Sequence, residues 1–399
     1  MSGIVIVGGG QAAASLAAKA RALGYDGDVT ILGEEPVAPY QRPPLSKAYL
    51  LGEMPLERLT LRGDDWYAVN RVTLRLGTKV TGIDRAAKAV LIGDARLPYD
   101  HLALCTGAVP RRLPPEMGAE ELSGIYTLRD LADTQAMADE FVPGRNLVVV
   151  GGGYIGLEAA AVACKRGLTA KLVHTRARIL RRVAGVETAA AIRAMHRAHG
   201  VEILEDIGIA RVLGEGRVSG VELADGRILP ADFIVVGIGV DPRTDLAEAA
   251  GLAIDEGIAV DAQGRTSDPS IWAAGDCAAL PGPEGRMRIE SVGNAIDMGE
   301  LVAENMLGAG KAYQPKPWFW SDQFSSKLQI AGLCTGHDRV VTRTAEGQSF
   351  WYFREGRLIA VDALDAPRAY MIGKRLIEAG KAVTPEQVAG ATDLKALMA

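Results

Sequence analysis

Closely spaced cysteine pairs are missing from this sequence. The chain has four cysteines: Cys105, Cys164, Cys277 and Cys334. No two of them have the spacing of a C-x-x-C redox dithiol or of a zinc knuckle, so we expect four reduced and mostly buried thiols. The histidines show no metal-ligand spacing either. His196 and His199 lie one helical turn apart without a carboxylate at a suitable offset, and we interpret them as a solvated helical face.

A positive net charge and long apolar runs are also missing. The formal net charge of −5 argues against bulk attraction to nucleic acid or to an anionic membrane. No apolar stretch is long enough to span a bilayer, and a predicted strand begins at Gly3 with no signal sequence before it. These absences favour a cytoplasmic protein. At 399 residues the chain is too long for one hydrophobic core, so we expect two or three domains.

The same succession of strand, glycine turn, helix and strand occurs twice along the chain. The first copy is predicted at Gly3–Val7, Gly8–Gly10, Gln11–Leu23 and Val29–Leu32. The second copy is predicted at Leu147–Val150, Gly151–Gly153, Tyr154 to about Arg166, and Ala170–Val173. A glycine pattern indicates dinucleotide binding strongly only when it follows a strand and opens a helix, and both copies do so.

Each copy carries the glycine fingerprint of a dinucleotide site. The fingerprint residues are Gly8, Gly10 and Ala13 in the first copy, and Gly151, Gly153 and Gly156 in the second. The first glycine allows the tight turn, the second lets the backbone approach a pyrophosphate, and the third small residue packs the helix against the strand. The helix N-terminus offers free N–H groups to the phosphates. The sequence therefore predicts two bound dinucleotides.

The residues that follow the second strand of each copy differ in charge. Glu34 and Glu35 end the first copy, and an acid there accepts hydrogen bonds from the hydroxyls of an unphosphorylated ribose, such as that of FAD. The second copy has His174 and Arg176 instead, with further arginines just beyond, among them Arg182. Basic residues at this place favour a 2′-phosphate, and we therefore favour NADPH modestly over NADH. The alternative is a solvated basic helix start that accepts NADH.

Beyond these fingerprints, the chain resembles the FAD-dependent pyridine nucleotide-disulfide oxidoreductase superfamily over essentially its whole length. Thr266–Asp276 is similar to that superfamily's second FAD motif, whose aspartate meets the ribityl chain of the flavin. Leu104–Ala108 and Gly237–Pro242 resemble the turns where the chain leaves and re-enters the FAD domain. The resemblance thus implies an FAD domain that is discontinuous, with the NAD(P) domain inserted into it.

Four further segments are similar to the ferredoxin reductases of bacterial oxygenase and cytochrome P450 systems. They are Gln41–Lys47, Gly153–Glu158, Arg288–Val292 and Pro317–Asp322. The disulfide-reducing branches of the superfamily carry C-x-x-C or C-x-x-x-x-C beside the flavin, and neither occurs here, which argues against disulfide reduction. Two features depart from the relatives: His174 replaces the usual acid, and the run Gly293–Gly299 is less polar than expected near the flavin.

The resemblance places Lys47 against the N5 region of the flavin, where a cation could stabilise the reduced ring. Glu158 lies about two turns into the second fingerprint helix, and a buried glutamate is costly unless it is paired. A Lys47–Glu158 ion pair would satisfy both groups, and we prefer it to two unrelated surface charges. Tyr154 could gate the nicotinamide pocket or only pack. Trp320 could stack on the flavin, lie on the electron path, or pack in the core.

Other cofactor contacts rest on the resemblance alone. Arg42 and Arg129 are assigned to the FAD diphosphate or ring. Asp276 is assigned to the flavin, because the preceding Gly275 permits close approach. The remaining assigned residues are Val80, Thr106, Gly107, Ile155, Gly239 and Val292.

The predicted fold class is α/β with two Rossmann-like dinucleotide-binding domains and a C-terminal α+β domain. The FAD domain would comprise residues 1–109 and 243–315, the NAD(P) domain 110–242, and the C-terminal domain 316–399. In the last domain we predict strands at Lys327–Ile330, Ser349–Phe353 and Leu358–Asp362, followed by a helix at Pro367–Glu378.

The resemblance implies a ferredoxin reductase that moves electrons from NAD(P)H through FAD to a small acidic [2Fe–2S] ferredoxin serving a cytochrome P450 or related oxygenase. We expect a monomer or weak homodimer, with no nucleic-acid or membrane partner. The candidates for a ferredoxin-steering patch are Arg286, Arg288, Lys316 and Lys327. The alternatives are reduction of rubredoxin or of a small molecule such as a quinone or dehydroascorbate, and an apoptosis-inducing-factor-like flavoprotein.

Overall fold

The structure is a computed structural model, and it describes residues 3–282 and 285–398. The chain divides into two compact units, each assembled from three stretches of sequence. The first unit comprises Met1–Gln41, Pro55–Val109 and Val240–Pro315. The second comprises Arg42–Met54, Pro110–Gly239 and Lys316–Ala399.

A seven-stranded sheet forms the centre of the first unit. Its spatial order is Val72–Arg75, Val29–Leu32, Gly3–Val7, Ala95–Leu104, Ala89–Ile92 and Gly82–Asp84, with Ile271–Ala273 paired to the end of Ala95–Leu104. The strand Gly3–Val7 runs parallel to both of its neighbours, and its five residues are all buried. Such an uninterrupted apolar strand is typical of a parallel sheet that is covered on both faces.

Two helices of the first unit pack unusually closely. Gln11–Ala22 and Val292–Met306 contact each other along their lengths. A Cβ added at Gly299 would lie 2.5 Å from the backbone oxygen of Ala12, so only glycine permits this approach. The other elements of the unit are the helices Asp64–Val69 and Asp245–Ala249, the 3-10 turn Leu56–Arg58, and the strands Ala108–Pro110, Val240–Pro242, Ile258–Ala259, Ala278–Gly282 and Gly285–Met287.

The second unit contains a five-stranded parallel sheet and a separate antiparallel one. The parallel sheet has the order Glu202–Glu205, Thr169–His174, Asn146–Val150, Phe233–Val236 and Ile125–Tyr126. The helices of this part are Leu131–Ala138, Tyr154–Lys165 and Val186–Ala198, and a three-stranded meander is formed by Ile209–Glu215, Arg217–Leu223 and Ile228–Pro230. Short 3-10 turns lie at Pro43–Ser46 and Pro115–Met117.

The antiparallel sheet of the second unit comes from the last part of the chain. Its order is Trp318–Gln323, Ser326–Gly332, Arg357–Leu364, Gln348–Arg354 and Arg339–Arg343. The helices Pro367–Ala379 and Pro385–Gly390 and the 3-10 turn Leu394–Met398 follow it. Trp351, Phe353 and Leu376 share one apolar core, which joins this sheet to its helices.

The fold class predicted from the sequence is confirmed. Both strand, glycine turn, helix and strand copies are present, and the predicted element ends differ from the observed ones by one or two residues. All four cysteines are free, with Cys105 and Cys277 buried. No helix in residues 3–282 and 285–398 is both long and apolar enough to cross a bilayer. The predicted boundaries of three domains stay a prediction.

The close helix contact yields a first prediction. Gly299→Ala is expected to lower the free energy of unfolding by about 1–3 kcal/mol, because the added methyl group meets a backbone oxygen that cannot yield. Gly390→Ala is the matched control, since a Cβ there meets nothing within 4 Å. Chemical denaturation of both variants checks this. Equal stability of the two would contradict the proposed crowding.

Candidate active site

The first glycine turn brings backbone very close to the end of a neighbouring strand. Gly8 has a φ of +116°, and a Cβ at this position would lie 2.1 Å from the oxygen of Cys105. Gly10 is the N-cap of the helix Gln11–Ala22, and no side chain caps that helix. The first N–H groups of the helix therefore have no side-chain acceptor, which suits a phosphate group.

Four parallel strands place their following residues at the same edge of the first sheet. Val7, Leu32 and Leu104 are register partners at the ends of their strands, and Leu104 is also paired with Ala273. The residues that come next are Gly8–Gly10, Glu34 and Glu35, Thr106 and Gly107, and Gly275 and Asp276. The sheet thus brings together most of the residues that the sequence assigns to FAD, at the edge where open α/β sheets bind ligands.

The acids at this edge are already fixed by neighbours. Glu34 pairs with Arg243, whose Nη1 lies 2.6 Å from its carboxylate, and Glu35 accepts a hydrogen bond from the Tyr40 hydroxyl at 2.5 Å. The Thr106 hydroxyl donates to the backbone oxygen of Arg243 at 2.7 Å. Fixed carboxylates beside a glycine turn are suited to accept hydrogen bonds from ribose hydroxyls.

Three further assigned residues of this unit have structural positions. Gly275 has a φ of +82°, and a Cβ there would lie 3.2 Å from the Cβ of Ala12, so the turn before Asp276 needs glycine. Val80 is buried in the core of the unit. Val292 begins the helix Val292–Met306, whose N-cap Ser291 accepts a hydrogen bond from the backbone of Asn294.

The second glycine turn repeats the geometry of the first. Gly151 has a φ of +113°, and a Cβ there would lie 2.2 Å from the oxygen of Gly237. A Cβ at Gly156 would lie 2.3 Å from the oxygen of Gly151, so the helix Tyr154–Lys165 packs directly on the turn. Gly153 caps this helix without a side-chain hydrogen bond. The second turn therefore has the same geometry, which suits a phosphate group.

His174 lies over this turn with both ring nitrogens engaged. Its Nδ1 accepts from the backbone N–H of Gly152 at 3.2 Å, and its Nε2 lies 3.0 Å from the oxygen of Arg178. The carbonyl acceptor fixes the proton on Nε2, so the ring is neutral. Burial lowers the pKa of His174, which favours the same form. The sequence could not show that the side chain expected to meet a 2′-phosphate is tied to the turn.

The arginines near His174 differ in exposure and in hydrogen bonding. Arg178 donates to the backbone oxygens of Ala184 and Gly185. Arg176 and Arg182 are exposed. A Cβ at Gly239 would lie 3.8 Å from Arg182 Nη1. Arg176 and Arg182, together with the exposed Arg181 that precedes Arg182, are thus the cations that this part of the unit presents to solvent.

The predicted Lys47–Glu158 ion pair is present in the second unit. Lys47 Nζ lies 2.7 Å from Glu158 Oε2, and Glu158 is only 2% exposed. The Ser46 hydroxyl donates to the same carboxylate oxygen, and the Ser321 hydroxyl donates to Oε1 at 2.5 Å. Three donors from two distant stretches of sequence therefore offset the cost of burying this carboxylate.

The aromatic residues near this carboxylate lie on opposite faces of one strand. Phe319 stacks on Tyr154 with ring centroids 3.7 Å apart, so Tyr154 is packed in this structure. Burial raises the pKa of Tyr154 well above its usual range. Trp320 stacks instead on Trp318, 5.5 Å away, and both are partly exposed. Trp320 therefore does not share the Glu158 side of the strand.

The remaining assigned residues of the second unit are Arg42, Arg129 and Ile155. Arg42 donates to the backbone oxygen of Arg129 at 3.0 Å, so the structure brings these two together. Ile155 is 39% exposed at the first turn of its helix. Their assignment to cofactors stays a prediction.

Sequence reasoning missed Ser46, Ser321, Gln323 and His196. The interpretation of His196 as solvated is wrong, because the residue is fully buried. Its Nε2 lies 2.7 Å from Gln323 Oε1, and its ring packs on Phe324. Helical periodicity alone could have placed His196 on the buried face of Val186–Ala198, together with Thr188, Ala189 and Ile192.

The two sites together define a class of protein. Each glycine turn, helix N-terminus and strand end fits one dinucleotide, and the acids of the first site fit FAD. The protein is an oxidoreductase that uses FAD and NAD(P)H. The pyridine nucleotide-disulphide oxidoreductase profile matches residues 2–299, and a reductase C-terminal profile matches residues 318–398. The chain belongs to the pyridine nucleotide-disulphide oxidoreductase family.

Individual relatives cover nearly the whole chain. It is 40% identical to rhodocoxin reductase of Rhodococcus erythropolis, over 99% of this chain and 94% of that protein. The putidaredoxin reductase chain of a covalent complex with putidaredoxin superposes with a TM-score of 0.95 at 37% identity, covering 100% of this chain and 98% of that one. A ferredoxin reductase from Rhodopseudomonas palustris superposes with a TM-score of 0.96 at 36% sequence identity, and both chains are fully covered.

A second buried carboxylate lies in the same unit. Asp362 is fully buried, and its Oδ2 accepts from the Thr188 hydroxyl at 2.6 Å and from the Tyr352 hydroxyl at 3.2 Å. Its Oδ1 has no hydrogen-bond partner among the described residues. Burial raises the pKa of Asp362 from its usual 3.8 to about 6.

This shift predicts a pH-dependent effect of Asp362→Asn. Because the folded-state pKa is raised, wild-type stability is greater below pH 4 and is lost as the pH rises through 6. An amide carries no charge, so the variant should be more stable than wild type at pH 8 by about 1–3 kcal/mol and equally stable near pH 4. Urea denaturation at both pH values measures this. Asp322→Asn, at a side chain that is 45% exposed, is the control, and a pH-independent difference for Asp362→Asn would contradict the prediction.

Proposed function

We propose that the protein is a ferredoxin reductase, which passes electrons from NAD(P)H through FAD to a [2Fe–2S] ferredoxin serving a cytochrome P450 or related oxygenase. The observation that carries this proposal is the match to proteins named as such reductases over nearly the entire length of both chains. The absence of a closely spaced cysteine pair supports it, because a dithiol is what disulfide reduction requires.

Different residues of this chain would bind the cofactors and supply charge beside them. The two glycine turns bind pyrophosphates, and Glu34 and Glu35 accept hydrogen bonds from a ribose. When bound, the flavin accepts a hydride and releases electrons singly, chemistry that no side chain can supply. The Lys47 ammonium, held by Glu158, would be the fixed cation available to that cofactor. Catalytic roles for Lys47 and Glu158 are part of this proposal.

The charges of the candidates for the ferredoxin-steering patch are partly neutralised by neighbouring groups. Arg286 donates to the backbone oxygen of Val260, and Arg288 pairs with Glu290 at 3.0 Å. Lys327 lies 3.7 Å from Asp322. Of the candidates for a steering patch, the arginines therefore contribute mainly to the fold, and Lys316 is the one that forms no ion pair within residues 3–282 and 285–398. Strong salt dependence of partner association is not expected.

Purified protein with FAD tests the acceptor. Reduction of cytochrome c by NAD(P)H should be slow with the reductase alone and faster by at least about tenfold when a [2Fe–2S] ferredoxin is added, because the ferredoxin takes electrons one at a time. Rubredoxin and a quinone in place of ferredoxin are the comparisons. Equal rates with and without ferredoxin would reject the proposed partner, and a preference for rubredoxin or quinone would support the alternative functions.

The nucleotide preference is a second part of the proposal. Arg176 is an exposed cation just beyond the strand end, where a 2′-phosphate would bind, whereas His174 is neutral and bonded to the turn. We infer that NADPH is favoured and that the charge comes from Arg176. His174 would contribute by holding the Gly152 backbone and by leaving the strand end without an acid.

Steady-state kinetics with both nucleotides test this preference. Arg176→Ala should lower kcat/KM for NADPH by about tenfold, the value of one charge-assisted hydrogen bond, and leave NADH within about twofold. His174→Asp should shift the preference toward NADH, because a carboxylate accepts from ribose hydroxyls and repels phosphate. Arg197→Ala, exposed on the helix Val186–Ala198, is the control. A large NADH advantage in the wild type would refute the inference.

We also infer a cytoplasmic monomer or weak homodimer without nucleic-acid or membrane partners. The net charge of −5 supports the lack of attraction to polyanions.

A further inference from the structure

The strand Trp318–Gln323 presents alternate residues to two helices of the same unit. Phe319 stacks on Tyr154, and the Ser321 hydroxyl donates to Glu158, one turn further along the same helix. Gln323, two residues beyond Ser321, contacts His196 on the helix Val186–Ala198. One face of the strand thus contacts the helix that carries the buried carboxylate through Phe319 and Ser321, and a second helix through Gln323.

Hydrogen bonds join these residues into a network in which each side chain donates to the next, from His196 through Gln323 and Ser321 to Glu158. The Ser321 hydroxyl gives its only proton to Glu158 Oε1, so its oxygen accepts from Gln323 Nε2 at 2.9 Å. The amide oxygen of Gln323 then needs a donor, and His196 Nε2 lies 2.7 Å away. The proton of His196 is therefore on Nε2. Its Nδ1 has no partner among the described residues, as expected for a neutral ring.

Burial makes this arrangement costly unless every link is formed. Ser321 and His196 are 0% exposed, and Gln323 and Glu158 are 2% exposed. An apolar set of similar volume would pack without these polar groups, so packing alone does not call for them. Burial lowers the pKa of His196 to about 4, which keeps the ring neutral near pH 7.

The turn that follows the strand is held in a strained conformation. Phe324, in the two-residue turn before Ser326, has a φ of +56°, which costs a bulky residue about 1–2 kcal/mol. Its ring stacks on His199 with centroids 3.9 Å apart, one helical turn from His196. The end of the helix Val186–Ala198 thereby fixes both the turn and the Gln323 side chain.

We propose that Ser321, Gln323 and His196 are positioning residues for the reaction, which orient the Glu158 carboxylate and through it the Lys47 ammonium. Ser321 donates to Oε1 while Lys47 and Ser46 donate to Oε2, so rotation of the carboxylate away from the lysine would break hydrogen bonds on both oxygens. This inference rests on the proposed catalytic roles of Lys47 and Glu158.

Two substitutions interrupt the hydrogen-bond network at different hydrogen bonds. Ser321→Ala removes the donor to Glu158. Gln323→Glu keeps the shape of the side chain but replaces the amide donor by an acceptor, so two carboxylates compete for the Ser321 proton. Ser349→Ala is the matched control. Ser349 is a buried strand serine of the same antiparallel sheet that accepts a hydrogen bond from Trp351 Nε1 and takes no part in the hydrogen-bond network of Glu158.

Rapid mixing of the FAD-loaded variants with NAD(P)H gives the first readout. Ser321→Ala and Gln323→Glu should each slow cofactor reduction by about tenfold, as loss of an outer positioning bond typically does, with the nucleotide Kd within about twofold. Ser349→Ala should change neither, and thermal unfolding of each variant identifies any loss of folding. A fall in nucleotide affinity alone, or an equal effect of Ser349→Ala, would overturn the proposal.

Nitrogen NMR of the histidine rings gives a second readout that does not depend on activity. The His196 ring, identified with His196→Gln, should be neutral with its proton on Nε2 at pH 7, and should lose this single tautomer in Gln323→Leu. A charged ring, or a neutral ring with its proton on Nδ1, in the wild type would contradict donation from His196 Nε2 to Gln323 and so overturn the proposed network. Glu158→Gln separates the two proposals: if it leaves cofactor reduction unchanged, the catalytic role of Glu158 fails. If it slows reduction while Ser321→Ala and Gln323→Glu do not, only the positioning inference fails.

Discussion

The carboxylate of Glu158 imposes the strongest local constraint on the second unit. A charge that is 2% exposed must be met by donors from several directions. The turn at Pro43–Ser46 contributes Ser46 and Lys47, and the antiparallel sheet contributes Ser321. Two stretches of chain that are far apart in sequence are therefore bound to one side chain of a third. Phe319 packs on Tyr154 of the same helix, and the hydrogen bonds of Gln323 and His196 extend from Ser321.

The two glycine turns show how one backbone geometry serves two ligands. Their first glycines have φ values of +116° and +113°, and each lies against a strand-end carbonyl that excludes a Cβ. What differs is the chemistry after the next strand: two carboxylates in the first copy, and in the second a neutral imidazole followed by an exposed guanidinium. Under the proposed assignments, selectivity between the two cofactors would rest on a few residues at the edge of each sheet, and phosphate binding on main-chain shape.

Most of the fold could be predicted from the sequence, because strand and helix periods and glycine turns are local signals. The Lys47–Glu158 pair could be anticipated with the help of the family resemblance, which placed Lys47, while the cost of burying an acid gave the reason for pairing. The links to Ser321 and Gln323 could not, because nothing near Glu158 in the sequence specifies which distant strand will cover it. The misinterpretation of His196 has the same origin: a polar residue was judged by its type, whereas the surrounding helix face and a remote glutamine determine its burial.

The order of the segments also has a consequence for synthesis on the ribosome. The five-stranded parallel sheet lies wholly within residues 125–236, so it can form as soon as that stretch has emerged. The seven-stranded sheet begins at Gly3 but receives its Ile271–Ala273 strand only much later. The seven-stranded sheet therefore stays incomplete, with one edge of Ala95–Leu104 unpaired, after every strand of the five-stranded parallel sheet has been synthesised.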